Sequence, residues 1–366
     1  MADSYDDYTR EQLLRLLRER DRRPRFGLVW ERDEIAHDLS VNNDFVALDW
    51  DAELSCGNGP KRNLIIEGDN FDALRYLRMT HAGRVKCIYI DPPYNTGNRD
   101  FIYNDRFVDK EDNYRHSKWL EFMCRRLELA KELLSEDGVI FVSIDDNEVF
   151  HLALLMEQVF GAANFIANFI WKRKAGGGDD SDHVATEHEY ILCFALSESQ
   201  AHIARVAHES PAMTAKYNKI ENGRRYYLER LDKTSLTYSQ SMDFPIACPD
   251  GSFISPSQPD PANPTTAWRW GKKAVELRRN ELIFGKERKT GVWRIYTKTW
   301  EPANGVTPRS LLVEKEHGRN RDGTQELAEY IGPKVFNNPK PTKLIQHLLS
   351  LPSKTGYDAG SSEGVG

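Results

Sequence analysis

The run "VKCIYIDPPY", residues 85–94, limits the fold more than any other stretch of this chain. Ile88, Tyr89 and Ile90 read as the end of a buried strand. Pro92 and Pro93 stop it at once, because neither has an N–H to give to a ladder. Asp91 and Tyr94 are thereby set at the strand's C-terminal edge, where open α/β sheets bind ligands. The flanking pattern agrees. "NLIIEGD" (63–69) reads as a short apolar strand, and "FDALRYLRMT" as a helix with Phe71, Leu74 and Leu77 on one face. Residues 117–134 form a long amphipathic helix, "GVIFVSIDD" a third strand, and "EVFHLALLMEQVFG" a third helix closed by Gly161. "FIANFIWKRK" and "HEYILCFAL" add two strands. Strands alternating with helices predict an α/β chain with a largely parallel, doubly wound sheet.

The remaining segments have other compositions. Residues 9–20 read as a helix opened by a Thr9–Gln12 capping box, and 31–60 as an acidic, irregular extension ending in the turn "CGNGP". The stretch 174–183 is polar and reads as a flexible interruption. Residues 197–330 lose the α/β regularity and mix aromatics, prolines and charges, as an inserted second domain would. The domain plan is therefore 1–60, 61–196, 197–330, 331–352 and a disordered tail at 353–366. Net charge is -6, which argues against a wholly basic nucleic-acid binder, but the charges are uneven. Residues 1–170 hold 22 Lys+Arg against 32 Asp+Glu, whereas 171–320 hold 23 against 19, so phosphate contact belongs to the middle of the chain. No run is long and apolar enough to span a membrane, and no apolar leader opens the chain, so the expected location is cytoplasmic. The five cysteines are scattered, and His183 and His188 lack a third partner at ligand spacing, so no metal site is read.

The order acid, proline carbonyl, aromatic suits one chemistry. The exocyclic amino group of adenine or cytosine is a poor nucleophile, because its lone pair is delocalised into the ring. Two acceptors holding its two hydrogens draw the nitrogen toward tetrahedral geometry and free that lone pair. Asp91 offers a carboxylate, Pro92 a carbonyl stiffened by proline on both sides, and Tyr94 a flat face. Base–aromatic stacking is worth about 1–3 kcal/mol, comparable with the cost of unstacking a base.

On these residues the chain resembles a family. "NLIIEGDNFDALRYL", "IYIDPPYNTGNRDFIYNDRF", "HSKWLEFMCRRLELAKELLSEDGVIFVSIDDNEVF" and "FNNPKPTKLIQHLL" together are similar to the amino-DNA methyltransferases of the permuted, β-type motif order, above all the methylation subunits of type III restriction–modification systems. The resemblance implies a Rossmann-like methyltransferase fold, S-adenosylmethionine as donor, and an adenine flipped from double-stranded DNA as acceptor. Asp91, Pro92, Pro93 and Tyr94 would hold and stack the base. Asp69 and Asn70 would lie by the cofactor's adenosine, with Lys340 and Pro341 flanking its methionine part. Asn95, Thr96, Gly97 and Phe101 would belong to the loop that closes over the site. Residues 197–330 would be the target-recognition domain, with Arg269, Lys272 and Lys273 suited to DNA. A restriction subunit and a second copy of the chain are the implied protein partners. Cytosine-N4 transfer and a DNA-binding fragment without activity are the alternatives.

The family continues past its Lys-Pro helix into a strand and a phenylalanine–glycine cofactor loop, whereas this chain reads "LPSKTGYDAGSSEGVG". That departure leads us to expect a truncated reading frame and weak or no binding of S-adenosylmethionine by the 366 residues alone. Loss of two or three hydrogen bonds of about 0.5–1.5 kcal/mol each weakens binding by roughly tenfold to a thousandfold. Isothermal titration checks this, and micromolar binding would show that the final glycines do form a cofactor loop.

Overall fold

The computed structural model describes residues 8–15, 28, 30, 46–57, 63–97, 102–103, 106–107, 114–176, 183–206, 215–234, 237–303, 305–313 and 315–353. Phe101, parts of the 1–60 extension, part of the 174–183 stretch and the end of the tail lie outside these residues. The chain divides into two compact units, Met1–Arg205 with Thr307–Gly366, and Val206–Val306.

The first unit is built on α1 (Asn70–His81), β1 (Val85–Ile90), α2 (Arg115–Leu133), β2 (Leu134–Ile144), α3 (Val149–Phe160), β3 (Phe165–Lys172) and β4 (His188–Ala195). Its sheet has the order β1-β2-β4-β3, continued by the short strand Leu311–Leu312. The α/β reading holds, but the sheet is mixed rather than largely parallel. β1 and β2 run parallel across α2, while β4 pairs antiparallel with both β2 and β3. The physical reason is the connection. No helix intervenes between β3 and β4 among the described residues, and a parallel pair needs a crossover of about a dozen residues or more, normally a helix.

The core lies between this sheet and helices α2 and α3. Ile140, Val142 and Ile144 present one face of β2 to Trp119, Met123 and Leu127 of α2 and to Leu152, Leu155 and Met156 of α3. Val139 and Phe141 on the other face of β2 are buried as well, so the strand is covered on both sides, as its unbroken apolar run requires. Gly161 takes φ 93° and closes α3 as expected.

Two expectations change toward the other edge. β1 has a paired neighbour on one side only among the described residues, and each of its six residues is half-buried. "NLIIEGD" is not a strand: residues 63–69 are irregular, Leu64 is exposed and Ile65 fully so. An apolar run becomes a strand only when a neighbour takes its backbone N–H and C=O groups, and no described strand lies beside it. α1 does form, with Asp69 as its N-cap accepting from Phe71 N at 2.7 Å. At the N-terminus the Thr9–Gln12 capping box is present and opens a helical turn over 10–15.

The second unit carries a four-stranded antiparallel sheet. Its strands are β5 (Lys219–Glu221), β6 (Arg224–Arg230), β7 (Leu282–Lys286) and β8 (Trp293–Trp300), in the order β7-β8-β6-β5. A small core of Leu231, Ile246, Trp268, Leu282 and Ile295, with Val275 of the short helix α4 (Lys272–Leu277), supports it. The chain then returns to the first unit through β9 (Leu311–Leu312), α5 (Asn320–Ile331) and α6 (Thr342–Ser350). β9 pairs parallel with β3, and α6 packs against β1.

Candidate active site

The turn after β1 is held from behind. Trp119 Nε1, buried in α2, donates to the Pro93 carbonyl at 2.7 Å. Asn95 is fully buried in the left-handed region at φ 56°, a conformation that asparagine tolerates better than most residues. Its amide donates to the Arg115 carbonyl at 3.3 Å and to Glu148 Oε1 at 2.5 Å. Thr96 and Gly97 follow, half-buried, with Gly97 at φ 79°. The Pro92 carbonyl receives no donor among the described residues, so it stays an open acceptor at the strand end.

In front of the turn, one ammonium meets two carboxylates and a phenol. Lys340 Nζ lies 3.1 Å from Asp91 Oδ1, 2.9 Å from Tyr94 Oη and 3.3 Å from Glu189 Oε2. The Tyr94 hydroxyl donates toward Asp91 Oδ1 at 3.0 Å and Glu189 Oε2 at 3.1 Å. Lys340 and Glu189 are nearly buried, with side chains 10% and 6% exposed, while that of Asp91 remains 35% exposed. Burial first, then the carboxylates of Asp91 and Glu189, raise the Tyr94 phenol far above its ordinary range, so it stays protonated. All the contacts to Asp91 fall on Oδ1. Oδ2 receives no donor among the described residues, so Asp91, like the Pro92 carbonyl, keeps an open acceptor there.

The segment that delivers Lys340 is clamped by glycine. An added Cβ at Gly323, in α5, would lie 2.3 Å from the Pro339 carbonyl oxygen and 3.0 Å from the Lys340 carbonyl carbon. Pro341 caps α6, and Thr342 N donates to Glu326 Oε2 of α5 at 2.8 Å. Lys340, assigned to the cofactor in the sequence reading, thus reaches the Asp91–Tyr94 turn directly.

Other predicted residues lie elsewhere. Asp69 and Asn70 sit at the start of α1, tied to Arg126 at 3.2 and 2.5 Å, with no contact to the Lys340 group among the described residues. Arg269 is held within the second unit by Glu229 at 2.9 Å, the Arg230 carbonyl and Thr297. Lys272 and Lys273 are exposed on a short helix, Lys272–Leu277. His188 pairs with the Tyr190 hydroxyl at 3.0 Å.

Glu189 was not read from the sequence. Its signal was faint: a lone acid entering the apolar run "HEYILCFA". A second missed group lies under the turn. Glu148 is fully buried, with His116 Nδ1 at 2.7 Å from Oε1 and His151 Nδ1 at 2.8 Å from Oε2. Burial pushes the Glu148 carboxyl up to about 7, against the pull of Asn95 and His151, and lowers His116. The spacing of Glu148 and His151 in "EVFH" was the available signal.

Comparison with known proteins gives consistent relatives. Residues 85–357 match the family described as DNA methylase. The type III restriction-modification enzyme EcoPI Mod subunit of Escherichia phage P1 is 31% identical over 342 residues, covering 81% of this chain and 52% of that protein. The StyLTI Mod subunit of Salmonella typhimurium is 30% identical over 333 residues, covering 80% and 47%. The type II methyltransferase M.KpnI of Klebsiella pneumoniae is 28% identical over 304 residues, covering 78% and 70%. The chain spans about half the length of the two Mod subunits.

The close packing at Gly323 fixes the sign of one substitution. In an exposed helix Gly→Ala gains up to about 1 kcal/mol, but overpacking against backbone costs about 1–3 kcal/mol. Gly323→Ala should therefore lower the unfolding midpoint in urea. An unchanged or raised midpoint would show that the Pro339–Pro341 segment yields freely.

Proposed function

On the premise that this chain belongs to the DNA methylase family, we propose that it transfers a methyl group from S-adenosylmethionine to the N6 amino group of adenine within a specific sequence of double-stranded DNA. The observation that carries the reading is the pair of open acceptors, Asp91 Oδ2 and the Pro92 carbonyl, beside the ring of Tyr94. An amino group placed between them gives one hydrogen to each. Lys340 and the Tyr94 hydroxyl hold Oδ1, so the carboxylate is oriented before the base arrives. The tyrosine ring takes the face of the base, while its hydroxyl is spent on the carboxylates. Adenine is preferred to cytosine on the family resemblance of the D-P-P-Y turn and its "NTGN" continuation.

Bound S-adenosylmethionine supplies the activated methyl group. Asp69, Asn70, Lys340 and Pro341 are the residues assigned to hold it. Asp69 fits that role: its side chain is 60% exposed, and Oδ2 has no donor among the described residues, which suits a hydroxyl-bearing ligand. The DNA contact is assigned to the region 197–330, where Lys272 and Lys273 are exposed and Arg269 is tied to Glu229. The names of the two Mod relatives support a place in restriction–modification, with a restriction subunit as partner, and the family resemblance adds a second copy of the chain as a further partner. No described helix is long and apolar enough to cross a membrane; the cytoplasmic setting is part of the proposed restriction–modification role.

The test uses methyl incorporation from labelled S-adenosylmethionine into duplex DNA by the protein carrying this sequence, with DNA affinity measured separately. Asp91→Ala should lower transfer by about 100-fold or more, the scale of one lost electrostatic contact at a reacting centre, and leave DNA affinity nearly unchanged. Tyr94→Ala should weaken both base capture and the grip on Asp91. Tyr94→Phe keeps the ring and should retain more activity than Tyr94→Ala. Full transfer by Asp91→Ala would remove the reading, and label found on cytosine would move it to N4.

A further inference from the structure

We propose that His116, Glu148 and His151 form a binding site for one first-row divalent cation, Zn²⁺ by preference, beneath the Asp91–Tyr94 turn. The donor set is the first reason. Two imidazole nitrogens and a carboxylate oxygen lie within 4.8 Å of one another, and this mixture of nitrogen and oxygen ligands suits zinc and its neighbours rather than Mg²⁺ or Ca²⁺, which take oxygen.

Charge is the second reason. Glu148 has no exposed side-chain surface, and a buried carboxylate needs a compensating charge. Among the described residues its partners at ion-pair distance are the two imidazoles. The third reason is geometric. Glu148 Oε2 and His151 Nδ1 are 2.8 Å apart, yet both are buried and neither has a hydrogen-bond partner, because the two groups do not align as donor and acceptor. Two ligand atoms that face one another without a hydrogen bond are placed as they would be around a shared ion, after opening slightly to admit it.

The scaffold is firm. Glu148 is the N-cap residue of α3 and His151 lies one turn on, while His116 stands in the first turn of α2. Behind the site Asn95 donates to Glu148 Oε1, the outer-shell contact that orients a carboxylate ligand. Both imidazoles are partly open, 41% and 37%, which leaves an entry path and a fourth position for water. Arg115 Nη2, 3.4 Å from His116 Nε2, is the nearby charge that opposes a cation, so the affinity should be moderate.

The test needs no assay of methyl transfer. Metal-free chain is titrated with Zn²⁺ by calorimetry and, in parallel, with Co²⁺ followed by its visible ligand-field absorption. The expected result is one equivalent of Zn²⁺ bound with Kd below about 100 µM, and a Co²⁺ band of low coordination number. His116→Ala, His151→Ala and their combination should each weaken binding by about tenfold or more, with unchanged circular dichroism. The exposed His202 serves as control, and His202→Ala should bind as the parent does. Absence of stoichiometric binding by the parent chain overturns the proposal without recourse to any variant. Binding that survives the combined His116→Ala and His151→Ala substitution overturns it equally.

Discussion

The Lys340 ammonium is the contact on which the site depends. It joins Asp91 to a residue 249 positions later in the chain, and in doing so ties α6 to the end of β1. Its surroundings make that tie costly to break. Lys340 and Glu189 are nearly buried, and burying an ion costs several kcal/mol that only good partners offset. Without the ammonium, the carboxylates of Asp91 and Glu189 would face each other across a single phenol proton. Such an arrangement adds little net stability, since desolvation consumes most of the Coulomb gain. What it secures is orientation: one oxygen of Asp91 is occupied, and the other has no donor among the described residues.

That orientation is useful because of where the sheet places it. Behind the turn, α2, α3 and both faces of β2 are closely packed, and Trp119 reaches from this core to the Pro93 carbonyl. In front, β1 is half-buried and α1 has no fully buried residue. Asp91 and Tyr94 therefore stand at the boundary between a rigid core and an accessible edge, as the proposed transfer requires. A preorganised acceptor pair needs the first, and a large planar substrate needs the second.

The buried Glu148 gives the turn a second anchor, independent of Lys340. Asn95 follows Tyr94 directly and is fixed through its side chain to Glu148, which in turn engages both His116 and His151. The turn is thus held in front by the ammonium and below by this carboxylate. The second unit has a separate core, in which Trp268 donates to the Phe244 carbonyl and Arg269 is tied to Glu229. Of the basic residues named there, Arg269 serves the unit's own packing, and Lys272 and Lys273 remain on its surface.

The sequence by itself determined the elements whose causes are local. An apolar run stopped by two prolines had to be β1 and its turn, and the one-sided apolar stripes had to be α1, α2 and α3. It also determined the Asp91–Tyr94 grouping, because those residues are neighbours in the chain. Only the tertiary structure decided what depends on pairing and distance. "NLIIEGD" has strand composition but no described neighbour to complete its hydrogen bonds, and β4 turns the sheet mixed by pairing antiparallel with both β2 and β3. Glu189, Lys340 and Asp91 come from three separate segments, as do Asn95, His116 and Glu148. No periodicity records such meetings. They are set by which helix faces bury against which strands, and that choice belongs to the packing of the whole unit.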